Sequence, residues 1–426
     1  MVRCWAGPFL SALFVFWACT GVAAAAPKPA KKDSSAVCKQ SPGKDAKSAD
    51  KDDDEEDDED DNDDEGVRFD LAGGCAKLTG GVSYTYQQAK KSATGLPIFV
   101  NRNGTVSGGS FSNTLSANIG LETAHQTGLG EFKTSFSANW SKATGDGTQN
   151  GTANVSGWSV GLAGLTVGYT GTLMSFWEGD FISTANAPGR TANTIVYEHE
   201  FDDQNKVAVG LESSLPTTRQ SQTGFASFDF SQPVYTIRWL RETDPWTLHL
   251  SGLVRRADFS SSPLLPLLPN TETVRTGWAA SIGSKISVPF VAEDDEASFQ
   301  ATYAVDASSY LGINTDLTTF QNTVRSTGPT TGWSAVASYH HVWSEQFESN
   351  LFGSYVTLRA DLLLAKPEAQ TFRGGVNLFW TPMDHLKFGI ELGYVEMKLD
   401  PHGILGFFNG GSGHAWTGYL SVSAEL

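Results

Sequence analysis

Two neighbouring stretches between Thr371 and Val395 alternate strictly in side-chain character. On one face of the first stretch lie Phe372, Gly374, Val376, Leu378 and Trp380. In the second stretch one face carries Leu386, Phe388, Ile390, Leu392 and Tyr394, and the other carries Lys387, Gly389, Glu391 and Gly393. A repeat of two residues is the period of a β-strand. The short segment 381–385 between the stretches therefore predicts a β-hairpin.

Strand length and aromatic placement favour a hairpin that crosses a membrane over one in a soluble sandwich. The stretch from Phe372 to Trp380 has close to the ~9 to 11 residues that a tilted strand needs to span a bilayer. Phe372 and Tyr394 would lie at one rim and Trp380 at the other, as in the aromatic girdles of outer-membrane barrels. Because charges are costly against lipid, we expect Lys387 and Glu391 to face a watery interior.

Sixteen segments of the chain have strand character, and several repeat the same alternation. The predicted strands are 76–87, 112–124, 130–141, 155–163, 165–173, 193–201, 206–213, 233–241, 245–255, 275–288, 296–305, 331–343, 347–359, 371–380, 386–397 and 414–426.

The connections between these strands alternate in length. Those after even-numbered strands are short, such as 125–129, 202–205 and 344–346, whereas those after odd-numbered strands are long, such as 88–111, 174–192 and 306–330. Short turns at one end and long loops at the other are typical of bacterial outer-membrane barrels. The prediction is an all-β protein: a sixteen-stranded antiparallel transmembrane β-barrel with short periplasmic turns and long external loops. A barrel of this size leaves an aqueous bore.

The region before the barrel divides into two parts. Residues 1–26 resemble a secretory signal, with Arg3, an apolar core and a run of alanines at 23–26. Residues 27–74 form an N-terminal periplasmic segment, and the barrel is assigned to 75–426. Of the 14 residues at 52–65, 13 are acidic, and they account for most of the net charge of −17. The rest of the chain is near neutral and has no basic patch, so a nucleic-acid partner is not expected.

The acidic tract allows three interpretations: a solvated disordered loop, a weak sink for divalent cations, or a plug that enters basic parts of the lumen. It lacks the glycine-bearing pattern of a calcium loop. We favour the solvated loop.

The histidines do not predict a metal site or an enzyme. His340 and His341 are adjacent on a predicted strand, so their side chains point to opposite faces and cannot bind one ion together. The other histidines considered, His125, His385, His402 and His414, lie in or beside turns and loops without cysteine or paired carboxylates at ligand spacing. We therefore expect no cofactor, no metal and no catalytic site.

Several short segments resemble the porin family of alphaproteobacteria, which includes the major porins of rhizobia and brucellae. They are 277–280 (GWAA) with Lys285, 300–304 (QATYA) followed by 307–312 (ASSYLG), 332–334 (GWS) with 341–343 (HVW), 351–356 (LFGSYV), and 164–168 (GLTVG) leading to 175–177 (SFW). The resemblance covers most of 75–426. Two features depart from the family pattern: the chain ends on Leu426, and the acidic tract separates Cys38 from Cys75.

The resemblance implies a homotrimeric porin in the outer membrane of a Gram-negative bacterium, surrounded by lipid and passing small hydrophilic solutes and ions by passive diffusion. It also implies that the third external loop, 174–192, folds into the pore. Phe176, Trp177 and Phe181 in this loop need burial, which favours the same placement. The pore constriction is then expected to contain the loop residues Glu178, Asp180 and Arg190 and the lumen-facing cations Lys77, Lys133, Arg238, Arg373 and Lys387. The alternatives are a solute-specific channel of the same fold or, from another class, an outer-membrane adhesin or enzyme.

The first testable prediction is a disulfide between Cys38 and Cys75. Removal of the signal would take Cys4 and Cys19 with it, so these two cysteines would be the ones left in an oxidising compartment. Closing the loop between them should restrict the unfolded chain and stabilise the protein by a few kcal/mol, on the order of that found for other disulfides. Thiol titration of the denatured, non-reduced mature protein should find no free thiol; two titratable thiols would contradict the pairing.

Overall fold

The computed structural model describes residues 66–71, 74–93, 99–101, 104–105, 111–145, 148–177, 179–183, 185, 187–213, 230, 232–259, 273–289, 291–292, 294–312, 328–361, 366–400 and 411–426. Its strands are β1 (Val67–Leu71), β2 (Gly74–Ala93), β3 (Phe99–Asn101), β4 (Gly104–Thr105), β5 (Phe111–Thr127), β6 (Gly130–Gly145), β7 (Thr148–Leu162), β8 (Leu165–Gly171), β9 (Thr191–Asp202), β10 (Asn205–Glu212), β11 (Val234–Thr243), β12 (Trp246–Phe259), β13 (Thr273–Ser287), β14 (Glu296–Val305), β15 (Thr331–Ser344), β16 (Phe347–Arg359), β17 (Glu368–Met383), β18 (Leu386–Asp400) and β19 (Gly411–Glu425).

Sixteen of these strands close into one antiparallel barrel. Each strand from β5 to β19 pairs with its neighbour in the chain, and β2 joins the two ends by pairing with both β5 and β19. The predicted sixteen-stranded barrel is confirmed. Several strands are longer than predicted, and the largest difference is β2, which spans 74–93 where the sequence predicted 76–87. Among the described residues no helix is long and apolar enough to cross a membrane.

Three short strands were not predicted. Strand β1 pairs antiparallel with the start of β2, from Val67 opposite Leu78 to Leu71 opposite Gly74. It lies in the segment that the sequence analysis assigned to the periplasm, and it continues the sheet beside β2 where the pairing of β19 ends at Glu425 opposite Gly81. The other two, β3 and β4, form a separate two-stranded hairpin within the first long connection.

The turn between β7 and β8 shows why a glycine is needed at one connection. Ala163 and Gly164 both have positive φ, 51° and 84°, which is the backbone of a two-residue type I′ hairpin turn. A Cβ on Gly164 would lie 2.4 Å from the carbonyl oxygen of Glu198. The close approach of β9 therefore excludes any side chain at this position.

On the barrel, apolar side chains are exposed on the outside and polar side chains are buried inside, the reverse of a soluble protein. On β17 and β18, Val376, Ile390 and Leu392 point outward and are 47%, 52% and 52% exposed. Asn377 and Glu391 point inward and are buried. An outer surface of this kind suits a lipid environment. The interior is polar, as the alternation predicted.

Aromatic rings form rows at the two ends of the outer surface. At the long-loop end the row contains Trp278–Tyr303, Trp333–Tyr355, Phe372–Tyr394 and Tyr394–Trp416, with ring centroids 5.6, 5.0, 6.3 and 4.8 Å apart. At the short-turn end, Trp380 stacks between Phe347 and Phe388 at 6.2 and 5.4 Å. The predicted placement of Phe372, Tyr394 and Trp380 at opposite rims is confirmed, and the rows match the interfacial girdles of membrane barrels.

An apolar cluster fills part of the barrel interior beside β11–β16. It contains Met174, Val234, Leu253, Ala279, Ala304, Ala307, Tyr310, Leu311, Val356 and Leu358. Three members come from the connection after β14, where the 3-10 turn Ser308–Tyr310 is completely buried. The sequence pattern predicts 306–330 as an external loop. Its first residues, 306–312, instead fold inward because Ala307, Tyr310 and Leu311 are apolar and fully buried there.

The second testable prediction concerns the lipid-facing surface. Ile390 lies midway between Leu386 and Tyr394 on the outer face of β18, so Ile390→Lys would place a charge near the centre of the bilayer. We expect the free energy of unfolding, measured by reversible denaturant titration in lipid vesicles, to fall by about 2–4 kcal/mol. Ser116→Lys is the control, because Ser116 lies opposite Ser83 on the polar inner face. Equal losses for the two variants would contradict the assignment of the faces.

Candidate functional site: the third loop inside the barrel

The third loop, residues 172–190, joins β8 to β9 and is the third connection at its end of the barrel. Its two ends are held together where it leaves the wall. The Thr172 amide donates to the Arg190 carbonyl at 2.9 Å. Beside this contact Gly189 has φ of +112°, and a Cβ there would lie 2.1 Å from Ser175 Oγ. The loop therefore begins and ends as a tight neck beside β8 and β9.

From this neck the loop runs along the inner wall over β12 to β15. His249 Nε2 on β12 lies 3.2 Å from the Leu173 carbonyl oxygen. Gln300 on β14 uses both ends of its amide: Nε2 donates to the Met174 carbonyl at 2.7 Å, and Oε1 accepts from the Trp177 amide at 2.9 Å. Gln300 is fully buried, so these bonds satisfy a polar group that has no access to water.

The first two loop aromatics pack on the wall as the need for burial predicted. Phe176 stacks on His249 with ring centroids 4.8 Å apart. It lies against Gly283 so closely that a Cβ there would be 2.3 Å from the Phe176 ring. Trp177 donates from Nε1 to Ser338 Oγ at 3.0 Å.

The third aromatic, Phe181, links the loop to β16. Its ring stacks on Trp177 at 5.4 Å and lies 4.1 Å from the Phe352 ring. Ala185 and Val336 complete this second apolar cluster. Apolar contact thus fixes the middle of the loop to the inner wall.

The loop tip reaches β17 and β18. Asn377 Nδ2 donates to the Asp180 carbonyl at 2.9 Å. Glu391 accepts from the amides of Ile182 and Ser183 at 2.8 and 2.9 Å. The described residues of the loop thus contact the wall from β12 to β18.

A row of charged side chains lies at the loop tip, beside the water-filled part of the lumen, which we call the passage. Lys387 on β18 forms an ion pair with the loop residue Asp180 and a second with Glu348 on β16, the latter at 2.7 Å. His340 Nε2 on β15 lies 3.4 Å from the other carboxylate oxygen of Glu348. Asp180 and Lys387 are 52% and 32% exposed, so both charges are in contact with the aqueous lumen.

Hydroxyl groups pair across β6 and β7 on the inner face of the barrel. Cross-strand pairs between β6 and β7 include Ser135 with Ser159 at 2.7 Å and Ser141 with Thr152 at 2.8 Å. These side chains can bond to each other or to water with little loss. Charged side chains thus cluster at the loop tip, and hydroxyl pairs lie on the inner face of β6 and β7.

The predicted loop residues lie in different surroundings. Asp180 and Lys387 are brought together. Glu178 lies outside the described residues. Arg190 is buried at the neck of the loop, where Nη2 donates to the Ser213 carbonyl at 2.8 Å and lies 3.8 Å from the Glu212 carboxylate. Its guanidinium is also 4.8 Å from the centroid of the Tyr310 ring. Arg190 thus connects the neck to β10 and to the inward-folded turn after β14.

The remaining predicted cations lie on the inner wall. Lys133 forms an ion pair with Glu131 at 2.7 Å, and Arg238 forms one with Glu198. Lys77 is in register with Glu122 across β2 and β5. Arg373 is 6% exposed and lines a small cavity with Ser183 of the loop. The structure therefore distributes these cations around the barrel, and of the five it gives Lys387 an ion pair with the loop.

Sequence reasoning did not identify the wall residues that hold the loop, notably His249, Gln300 and Asn377, and it treated Glu391 only as a lumen-facing charge. Alternation placed Asn377 and Glu391 on the inner face correctly. It could not show which of many inward polar residues meets the loop, because that depends on where the loop lies across non-adjacent strands. Among the described residues no group of three histidine, cysteine or acidic side chains could hold a metal ion.

A closed barrel with an apolar outside, a polar bore and an inward loop defines a membrane channel. The sequence model of the porin subfamily matches residues 69–406, which is most of the chain, so the protein belongs to that family. It is an outer-membrane porin channel of a Gram-negative bacterium, as predicted.

Several solved structures are similar to this chain at low sequence identity. The outer-membrane channel DcaP of Acinetobacter baumannii is similar with a TM-score of 0.59 and 15% identity, over 83% of this chain and 98% of that one. OmpT of Vibrio cholerae in its trimer form has a TM-score of 0.47 and 9% identity, over 83% and 100%. An anion-selective porin from Comamonas acidovorans has 0.47 and 10%, also over 83% and 100%. No curated protein sequence matches the chain.

Proposed function

We propose that this porin passes small hydrophilic solutes and ions by passive diffusion through a passage narrowed by the third loop. The ion pair between Asp180 of the loop and Lys387 of the wall carries the proposal. It places a charged, water-exposed pair at the tip of a loop that occupies one side of the bore. A charge beside a narrow passage acts strongly on ions, because little water is present to screen it.

Two finer assignments belong to the same proposal. We place the chain in the alphaproteobacterial group of porins, which the segments 164–168, 277–280 and 307–312 support by their order and spacing. We also propose that it is a channel without enzymatic activity. The inner wall supports this, since His249 and Glu391 hold the loop and His340 pairs with Glu348.

The third testable prediction is a change of ion selectivity. Asp180→Asn would remove a negative charge from the passage and leave Lys387 with Glu348 as its partner. We expect the permeability ratio, obtained from reversal potentials across a salt gradient, to shift toward anions by about two- to threefold. The double variant with Glu178→Gln should shift it further. Neutralising Lys133 or Arg238 should shift it toward cations.

Glu122→Gln is the matched control for this experiment. Glu122 is an inward carboxylate on β5, opposite Lys77 and away from the loop contacts described above. Its variant should change selectivity less than Asp180→Asn does. If Asp180→Asn leaves the reversal potential unchanged, the loop tip does not border the narrowest part of the channel. Liposome swelling that saturates for one sugar would instead favour a solute-specific channel.

The fourth testable prediction is a homotrimer. The family resemblance supports this assembly, and the apolar outer faces of the barrel can pack against another copy as well as against lipid. Unheated samples should migrate in detergent gels as one large species that converts to the monomer on boiling. Light scattering in mild detergent should give the mass of three chains; a monodisperse monomer would argue strongly against the trimer.

A further inference from the structure

Glu391 is a carboxylate buried inside the barrel wall, where it binds the main chain of the third loop. It lies on the inner face of β18 and is 4% exposed. Its Oε2 accepts from the Ile182 amide at 2.8 Å and its Oε1 from the Ser183 amide at 2.9 Å. Burying a carboxylate is costly unless hydrogen bonds compensate. Bonds from N–H groups to a charged oxygen are stronger than those between neutral groups.

Asn377 on β17 extends this contact to the residue that carries the loop charge. It lies directly opposite Glu391 in the sheet register. Its Nδ2 donates to the Asp180 carbonyl at 2.9 Å and lies 3.3 Å from Glu391 Oε2. Its Oδ1 accepts from the backbone N–H of Asn350 at 2.9 Å, which orients the Asn377 side chain. Two neighbouring strands therefore bind three backbone groups within four residues of the loop.

These contacts are made by the residue that carries the loop charge and by the residues just after it. The bound carbonyl belongs to Asp180 itself, and the bound amides follow it at 182 and 183. The place of the Asp180 side chain beside Lys387 therefore depends on where the backbone is held. Strand β18 is paired along its length with β17 and β19, so it offers a rigid support.

We propose that Glu391 and Asn377 form a clamp that holds the tip of the third loop against β17 and β18. Glu391 is a positioning residue: it acts on the passage through the backbone at 182 and 183. The clamp would also set the size limit for uncharged solutes, since release of the tip changes the width of the passage. This second part rests on the proposed function.

The fifth testable prediction uses Glu391→Gln. The amide keeps the shape of the side chain but replaces one acceptor oxygen by a donor, so it can accept from one of the two loop amides and must repel the other. We expect amide hydrogen exchange in the peptide covering 179–187 to become about tenfold faster, as loss of a bond to a charged acceptor implies. Exchange in the barrel strands should stay unchanged. Liposome swelling should show entry of larger neutral sugars than in the parent protein.

The control is Glu122→Gln, which removes the same charge from the inner wall outside the clamp and should alter neither loop exchange nor the sugar size limit. If Glu391→Gln does not fold, Asn377→Ser removes the bonds from Nδ2 and should speed loop exchange in the same direction to a smaller extent. Unchanged loop exchange in the folded variant would overturn the clamp. Faster exchange with an unchanged size limit would support the clamp and overturn the proposed function, because the loop would then be held at a place that does not limit passage.

Discussion

A strand in the hydrocarbon of a bilayer has no water to bond its backbone N–H and C=O groups, so each must be paired within the protein. The pairing of β2 with both β5 and β19 meets this demand by leaving the barrel without an open edge. Closure then fixes the two faces of every strand, because successive side chains alternate between lipid and lumen. The exposed Ile390 and the buried Glu391, neighbours in the chain, are the direct result.

The interior of the barrel also holds segments of the connecting loops. A sixteen-stranded wall is too wide for its own side chains to fill, so the interior can accept loops. The third loop and the turn at Ser308–Tyr310 supply apolar residues to the interior. Met174 of the loop and Tyr310 of the turn are completely buried there. One side of the lumen is thus packed like a protein core, while the side toward β6 and β7 keeps hydroxyl groups that suit water.

The loop is held by three kinds of contact that differ along its length. At the neck, Arg190 binds Glu212 and the Ser213 carbonyl. In the middle, aromatic rings pack on His249 and Phe352. At the tip, polar side chains of β17 and β18 bind the main chain. The tip contacts are the ones nearest to the charged pair of Asp180 and Lys387, which explains why a change in the wall can act on the passage without touching its charges.

The amino-acid sequence by itself determined the sixteen barrel strands and the alternation of inward and outward side chains along them. These follow from local rules: a period of two, and aromatic residues at strand ends. It also pointed to the third loop, since Phe176, Trp177 and Phe181 could not stay in water. The tertiary structure alone decided that Lys387, rather than Lys133 or Arg238, pairs with Asp180, and that Glu391 binds the loop backbone. Those contacts join residues about 200 positions apart in the chain, and Asp180 and Lys387 are separated by 207 positions. No periodicity along the chain records which inward side chain a folded loop will meet.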